Sequence, residues 1–289
     1  MYGMTTTAGR GLVLAMLLTF ASLIASPLTS AKTKDRPVVI TLNSHATPLE
    51  QFAASELKRY VTKLFSVPVK INASVKPKHT VFRLQVLPDL DPQEIVLRPT
   101  DNGFLIAGGS PVAVLWATYD LVERWGVRYL IYEDVFPDKY SPMILPSSEV
   151  RILPNMRTRC WRLVNCLADG PVSWSLEENK RFLGQIAKMK YNRAYVSFYP
   201  AQPFVHYEFQ GMQKPTPLLY FGEHYPINEN TIGREKFGKM TEFTNPDFVG
   251  AKTPQELVKR ATTLAQGILD EAKRLGMETG LAIQPFEWP

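Results

Sequence analysis

Cysteine is scarce. The 289 residues hold two, Cys160 and Cys166, which excludes a disulfide-dense scaffold. The pair either closes one small-loop disulfide or stands as two buried free thiols, and spacing alone leaves both open. Histidine is almost as rare: His45, His79, His206 and His224 show no H-x-x-x-H spacing. Two cysteines and scattered histidines do not make a zinc site, so no metal is expected. No concentrated basic run is present either. The net charge of +6 is spread along the chain, with small groups at Lys32, Lys34 and Arg36 and at Lys70, Lys76 and Lys78. A nucleic-acid partner would want a basic footprint on one face, and none is expected. Beyond Ala25 no stretch is apolar enough to cross a bilayer.

The first residues have a pattern of their own. Residues 1–10 carry one base, Arg10, and no acid; Gly11 to Ala25 form an apolar run; small residues then lead to Thr29-Ser30-Ala31. This order reads as a secretory signal peptide, residues 1–31, cleaved after Ala31. An uncleaved anchor is the competing reading, but the run is about 15 residues where a span needs about 20. A secreted or periplasmic protein beginning near Lys32 is expected. The chain is 45% hydrophobic and 21% charged, ordinary globular proportions, so the remainder can bury a core as two domains or one large one.

Residues 37–132 alternate between strand and helix signals. Pro37 to Leu42 is a short β-branched strand. Thr47, Pro48 and Glu50 give an N-cap, a proline at N1 and a capping box, and apolar residues recur at helical spacing through Leu64. Val67 to Ile71 reads as an edge strand, and Thr80 to Leu87, Glu94 to Arg98 and Phe104 to Ala107 as further strands. Ser110-Pro111 opens a second helix that Gly126 stops, and Val127 to Tyr132 is expected to return as a strand. Residues 133–156 hold four prolines, Pro137, Pro142, Pro146 and Pro154, and read as an irregular linker. From 157 to 289 the rhythm changes to β-α-β-α-β: Arg157 to Val164, a helix capped by Ser175, Ala194 to Tyr199, a helix capped by Thr253 and stopped by Gly276, then Gly280 to Ile283. An aromatic and proline-rich insertion fills residues 200–250. The expected fold is an α+β N-terminal domain, a mixed sheet with two helices, followed by an incomplete (β/α) barrel-like region. An eight-stranded barrel needs about 200 residues or more, so the chain is expected to be the front of a longer architecture.

Two segments carry a resemblance. Ala53-Ala54-Ser55-Glu56-Leu57-Lys58-Arg59-Tyr60-Val61 resembles the "A-x-E-L-x-x-Y" helix of a small α+β domain that precedes the catalytic barrel of α-glucuronidases and β-N-acetylhexosaminidases. Gly108-Gly109-Ser110-Pro111, with Tyr119 to Tyr129 (YDLVERWGVRY), resembles that domain's last strand-helix-strand unit. The family pattern continues "R-G" where this chain has Val112-Ala113, so no role of that arginine is carried over. Ile186 to Arg193 (IAKMKYNR) is similar to the first barrel helix and turn. The resemblance covers about residues 37 to 199. It implies a glycoside hydrolase, α-glucuronidase-like before hexosaminidase-like, that acts on carbohydrate by carboxylate chemistry with no metal or organic cofactor. In these families the catalytic carboxylates sit on later barrel strands, near the fourth and beyond. No residue here matches those motifs, so no catalytic residue is assigned.

Substrate-binding candidates come from position. Barrel sites lie at the C-terminal ends of strands. Glu287 would be a strand-end acid and Trp288 beside it a sugar-stacking face; an ordinary loop glutamate beside a core tryptophan is the alternative. Tyr199, His206 and Tyr207 open the aromatic insertion, which could line a sugar subsite, since aromatic faces pack on pyranose rings, or could pack on itself as an Ω-like loop. Among the acids of that insertion, Glu208, Glu223 and Glu229 are where a catalytic pair that no motif marks would be sought. The Gly108-Gly109 turn reads as a tight strand-to-helix connection or as an anion cradle. Asn72-Ala73-Ser74 is a glycosylation sequon. The rival to an enzyme is a non-catalytic carbohydrate-binding or surface-assembly protein built on the same fold.

Overall fold

The structure, a computed structural model, describes residues 36–138, 142–163, 173–198, 202–204, 206–214 and 225–283. The expected signal peptide, residues 1–31, lies outside the described residues. Among the described residues the architecture is mixed α/β, with four α-helices and a mixed principal sheet.

The first layer runs β1 (Val38–Thr41), α1 (Pro48–Phe65), β2 (Val69–Ile71), β3 (Thr80–Val86), β4 (Ile95–Thr100), β5 (Gly103–Gly108) and α2 (Pro111–Arg124). The expected caps form. Thr47 and Glu50 make a reciprocal capping box on α1, and the Ser110 side chain accepts from the Ala113 amide at the start of α2. The sheet order is β2-β1-β3-β5-β4-β8, with β8 at Val150–Ile152. β1 is parallel to β2 and β3, β3 is parallel to β5, and β4 is antiparallel to β5 and β8. β2 is the edge strand expected, and it follows Pro68, a residue that suits a sheet edge because it cannot donate to a ladder. α1 and α2 cover one face, where Val38, Ile40, Phe82, Leu84, Phe104 and Ile106 meet Leu57, Val61, Leu115 and Val122. The other face keeps a smaller cluster of Val96, Leu105 and Ala107 beneath Leu87 and Leu90. A mixed sheet tolerates this asymmetry because one face can stay partly wet.

Two stretches differ from their sequence reading. Val127 to Tyr132 does not return to the principal sheet; only β6 (Arg128–Tyr129) forms, and it pairs with β7 (Asp134–Val135). Residues 133–156, read as irregular, supply that β7 and also β8, which extends the sheet by pairing Ile95–Leu97 with Val150–Ile152. Three paired residues are too short a run to register as periodicity.

The second layer contains β9 (Cys160–Leu163), α3 (Leu176–Lys188), β10 (Arg193–Phe198), the hairpin β11 (Glu208–Phe209) and β12 (Met212–Gln213), α4 (Pro254–Arg274) and β13 (Glu278–Ile283). β10 lies between β9 and β13 and is parallel to both. This is a β-α-β-α-β unit of three strands. α3 and α4 lie on one face, where Phe182, Leu183, Ile186, Leu264 and Ile268 bury Ala194 and Val196. Ser175 and Glu178 make the capping box expected at the start of α3.

The two layers meet through polar groups as well as apolar ones. Lys188 on α3 donates to Asp134 at 2.8 Å, Arg181 Nε donates to the Tyr132 carbonyl at 2.7 Å, and Lys190 faces Asp120 at 3.3 Å. Arg159 donates to Gln93 across the same boundary at 2.7 Å, with its guanidinium 4.8 Å over the Trp116 ring. α2 is therefore enclosed on several sides, and every residue from Ala113 to Val122 is buried.

Candidate functional site

In an open or closed parallel α/β sheet, ligands bind beyond the carboxyl ends of the strands. Here those ends are Leu163, Phe198 and Ile283. Side chains alternate along each strand. Trp161, Ala194 and Val196 pack on α3 and α4, so Arg162, Tyr195 and Ser197 face the other way. That second face is polar. Arg162 Nε donates to Ser197 Oγ at 3.0 Å, joining β9 to β10 one residue before their ends. Lower on the same face Arg193 pairs with Glu278, and the Tyr195 ring lies over Gly280, where a Cβ would come within 2.1 Å of it. Glu278 is the only acid on these three strands, and it sits at the start of β13, away from the carboxyl ends.

The described residues of the insertion after β10 divide into a buried part and an exposed hairpin. Phe204, Ile227 and Phe248 are buried, and an antiparallel bridge between Pro226 and Glu242 closes its second part. Asn245 donates to the Trp174 carbonyl at 2.8 Å, and the Asp247 carboxylate accepts from the Leu176 amide at 2.7 Å, so the end of the insertion braces the start of α3. The β11–β12 hairpin is different. It turns at Gln210 and Gly211, both with positive φ, the two-residue geometry that matches strand twist. It holds Tyr207 54% and Phe209 64% exposed. His206 and Glu208 beside them are also exposed.

Lys214 anchors that hairpin. Its amide donates to the Tyr207 carbonyl at 3.1 Å. Its Nζ donates to the carbonyl of Gln202, just beyond the end of β10. Burial pushes the Lys214 ammonium down to about 8. Between about pH 8 and the ordinary lysine value near 10.4, the unfolded chain binds more protons than the folded one, so stability rises with pH across that window. Lys214→Met is expected to remove this rise in urea-unfolding free energy measured from pH 7.5 to 10.5. The same slope in wild type and variant would count against the assignment.

Of the residues proposed from sequence, His206 and Tyr207 stand together at the base of the hairpin, while Tyr199, Glu287 and Trp288 lie outside the described residues. Glu208 and Glu229 are exposed, and Glu223 lies outside the described residues. Cys160 is exposed rather than buried at the start of β9, and Cys166 lies outside the described residues. Among the described residues no cluster of three or more His, Cys, Asp or Glu is arranged to hold a metal, and no helix is long and apolar enough to cross a membrane. Arg162, Ser197 and Lys214 are missing from the sequence-based set. Arg162 and Ser197 could have been found by asking which polar residues fall one step before the carboxyl ends of parallel strands; nothing local marks Lys214.

No protein-family model matches the chain, and no curated protein matches it. Its neighbours among solved structures are glycoside hydrolases. One is a GH138 enzyme targeting pectin rhamnogalacturonan II, with a TM-score of 0.49 and 13% identity over 83% of this chain and 30% of that one. A GH20 exo-β-N-acetylglucosaminidase from Vibrio harveyi, in complex with N-acetylglucosamine, gives 0.49 and 12% over 86% and 33%. A GH115 4-O-methyl-α-glucuronidase with specificity for decorated arabinogalactans gives 0.43 and 13% over 58% and 26%. The chain spans about a third or less of the length of these three structures.

Proposed function

We propose that the chain is an exported carbohydrate-active protein, the N-terminal part of a glycoside hydrolase of α-glucuronidase-like type that acts on polysaccharide fragments. In this reading the α+β domain supports the first three strands of a (β/α) barrel, and saccharide is held at the carboxyl ends of those strands. The observation that carries the reading is the polar face of β9-β10-β13. A closing barrel turns inward the face opposite its helices, and on that face Arg162 is held by Ser197 at 3.0 Å at the strand ends. A guanidinium fixed through Nε keeps its remaining N–H groups available to a sugar hydroxyl or carboxylate. The exposed rings of Tyr207 and Phe209 supply the flat apolar surfaces on which a pyranose packs.

One observation favours the second reading, a non-catalytic carbohydrate-binding or surface-assembly protein. Glycoside hydrolysis normally uses two carboxyl groups across the scissile bond, and among the described residues the one acid on β9, β10 and β13 is Glu278, at the start of its strand. Binding and turnover therefore need separate measurement. Titration of the full chain with a glucuronate-bearing oligosaccharide, followed by calorimetry, is expected to weaken about tenfold in a Tyr207→Ala, Phe209→Ala double variant, since each ring contributes roughly 0.5–1.5 kcal/mol. Arg162→Ala is expected to weaken it similarly. Wild-type affinity in both variants would sink the strand-end site. Release of aryl aglycone from an aryl α-glucuronide supports the hydrolase reading, and binding without release supports the second.

A further inference from the structure

A second concave site lies between the two layers. A cleft of ≈460 Å³ opens among α1, the β6–β7 segment, α3 and α4, within the size range of small-ligand pockets and at the kind of boundary they favour. Its floor is electrically closed. Glu56 takes both Arg59 and the Tyr119 hydroxyl, Asp134 takes Lys188 and the Tyr60 hydroxyl, and Glu271 takes Arg274. These acids are occupied by the protein's own cations.

The rim is not closed. Arg181 Nε is fixed on the Tyr132 carbonyl at 2.7 Å, and among the described residues its terminal guanidinium nitrogens have no carboxylate. Lys63 has none either; its ammonium sits 3.5 Å from the centre of the Phe136 ring. Lys180 pairs with Glu177 at 3.1 Å, but that carboxylate is 84% exposed, so the pair is a loose surface contact. Only Glu133 among the lining residues opposes them without a cation of its own. Beside these cations the Tyr132 ring stands 64% exposed.

We propose that this cleft binds an acidic saccharide, with the carboxylate of a uronic-acid unit taken by the free fork of Arg181 and by Lys63, and its pyranose ring laid against Tyr132. Three features select this chemistry. A guanidinium held at one nitrogen is preset to grip a carboxylate at the others. The surplus of positive charge at the rim attracts an anion before contact. An exposed aromatic ring beside the cations gives a flat apolar surface that a simple inorganic anion would not use and a pyranose would. The site is separate from the strand ends of β9, β10 and β13, so it does not depend on saccharide binding there.

The test uses the full chain carrying Tyr207→Ala and Phe209→Ala, so that the result does not turn on the hairpin. Trigalacturonic acid is the ligand and galactotriose its neutral counterpart. The acidic trimer is expected to bind, and the neutral one at least about tenfold more weakly. Arg181→Ala should lower the affinity about tenfold, the usual scale for one charge-assisted contact, and Lys63→Ala several-fold. Glu133→Gln should raise it, because the competing acid is gone. Raising ionic strength from about 0.01 to about 0.15 M, which shortens the Debye length from about 30 to about 8 Å, should weaken it several-fold. Arg181, Lys63 and Glu133 are all exposed, so unchanged unfolding curves should accompany these shifts. No binding of the acidic trimer, equal binding of the neutral one, or affinity unmoved by Arg181→Ala would each overturn the proposal.

Discussion

Gly109→Ala is expected to destabilise the chain by about 3 kcal/mol, at the upper end of what overpacking costs. β5 ends at Gly108, and α2 begins two residues after Gly109, at Pro111. The chain makes this corner pressed against the 87–94 loop. A Cβ on Gly109 would stand 1.9 Å from the Asp91 carbonyl oxygen and 2.6 Å from its carbon. Those are backbone atoms, so no side-chain rotation relieves the overlap. The loop cannot retreat cheaply either. The Asp91 carbonyl accepts from the Glu94 amide at 2.9 Å, the Gly109 amide donates to the Glu94 carbonyl at 3.0 Å, and the Asp91 carboxylate holds Arg157 at 2.6 Å. The cause is close approach, not a left-handed backbone, because Gly109 is absent from the residues with positive φ. Gly184 is the control. It lies inside α3 with nothing within 4 Å of where a Cβ would be, so Gly184→Ala should stabilise by up to about 1 kcal/mol through helix propensity. Urea unfolding of both variants decides the matter, and a loss under 0.5 kcal/mol for Gly109→Ala would refute the packing argument.

The same corner shows what could be read in advance. Gly-Gly-Ser-Pro is visible as a stop, a cap and a start, because each residue acts on the backbone within a few positions of itself. The capping boxes at Thr47 and Ser175 were legible for the same reason. What the glycines touch was not, since Asp91 reaches Gly109 only through the register of β4 and β5. The motif residues behave alike. Glu56, Tyr60, Tyr119 and Tyr129 stand out in sequence as a family-like pattern, but their work is tertiary. The Tyr119 hydroxyl donates to Glu56 at 3.1 Å, and Tyr60 meets the Tyr119 and Tyr129 rings edge-on at 6.4 and 6.2 Å. Burial pushes all three phenols up, and the Glu56 and Asp134 carboxylates add to it, so the hydroxyls stay protonated and donate. The site was less legible than the fold. His206 and Tyr207 could be placed in an aromatic loop from composition. Arg162 and Ser197 acquire meaning only when β9 and β10 are known to be parallel neighbours. Arg181 looks like any solvated helix residue until Tyr132 is known to reach it.

Asp134→Ala is expected to cost about 3–5 kcal/mol, the scale of breaking a buried ion pair from one side. Asp134 sits on β7, a strand of two residues that no periodicity reveals, yet its carboxylate joins three elements. It accepts from the Tyr60 hydroxyl of α1 at 2.7 Å and from Lys188 of α3 at 2.8 Å, with Arg59 at 3.4 Å. The Asp134 and Lys188 side chains are 9% and 14% exposed at the floor of the cleft, so water replaces the lost acid only in part. Alanine therefore leaves a nearly buried ammonium without a counter-charge, its remaining partner the neutral Gln185 side chain at 2.6 Å, and a phenol without its acceptor. Asp134→Asn keeps an acceptor for Tyr60 and should cost less. Lys188→Met added to Asp134→Ala should recover part of the loss, because it removes the stranded charge, and the cycle isolates the pair. Acid gives an independent reading. Burial works to raise the Asp134 carboxyl, but the bonds from Lys188 and Tyr60 and the charges of Lys188 and Arg59 outweigh it and hold the group below its ordinary value. Its contribution is therefore complete above the unfolded-state value near 3.9 and is lost as pH falls below that, through the lower folded value. The wild type should lose unfolding free energy more steeply below about pH 4 than Asp134→Asn, which has no proton to take up. Parallel curves for the two proteins from pH 5 to 2, together with a loss under 1 kcal/mol for Asp134→Ala at pH 7, would show that Tyr60 and Lys188 find other partners and that this carboxylate does not hold the layers together.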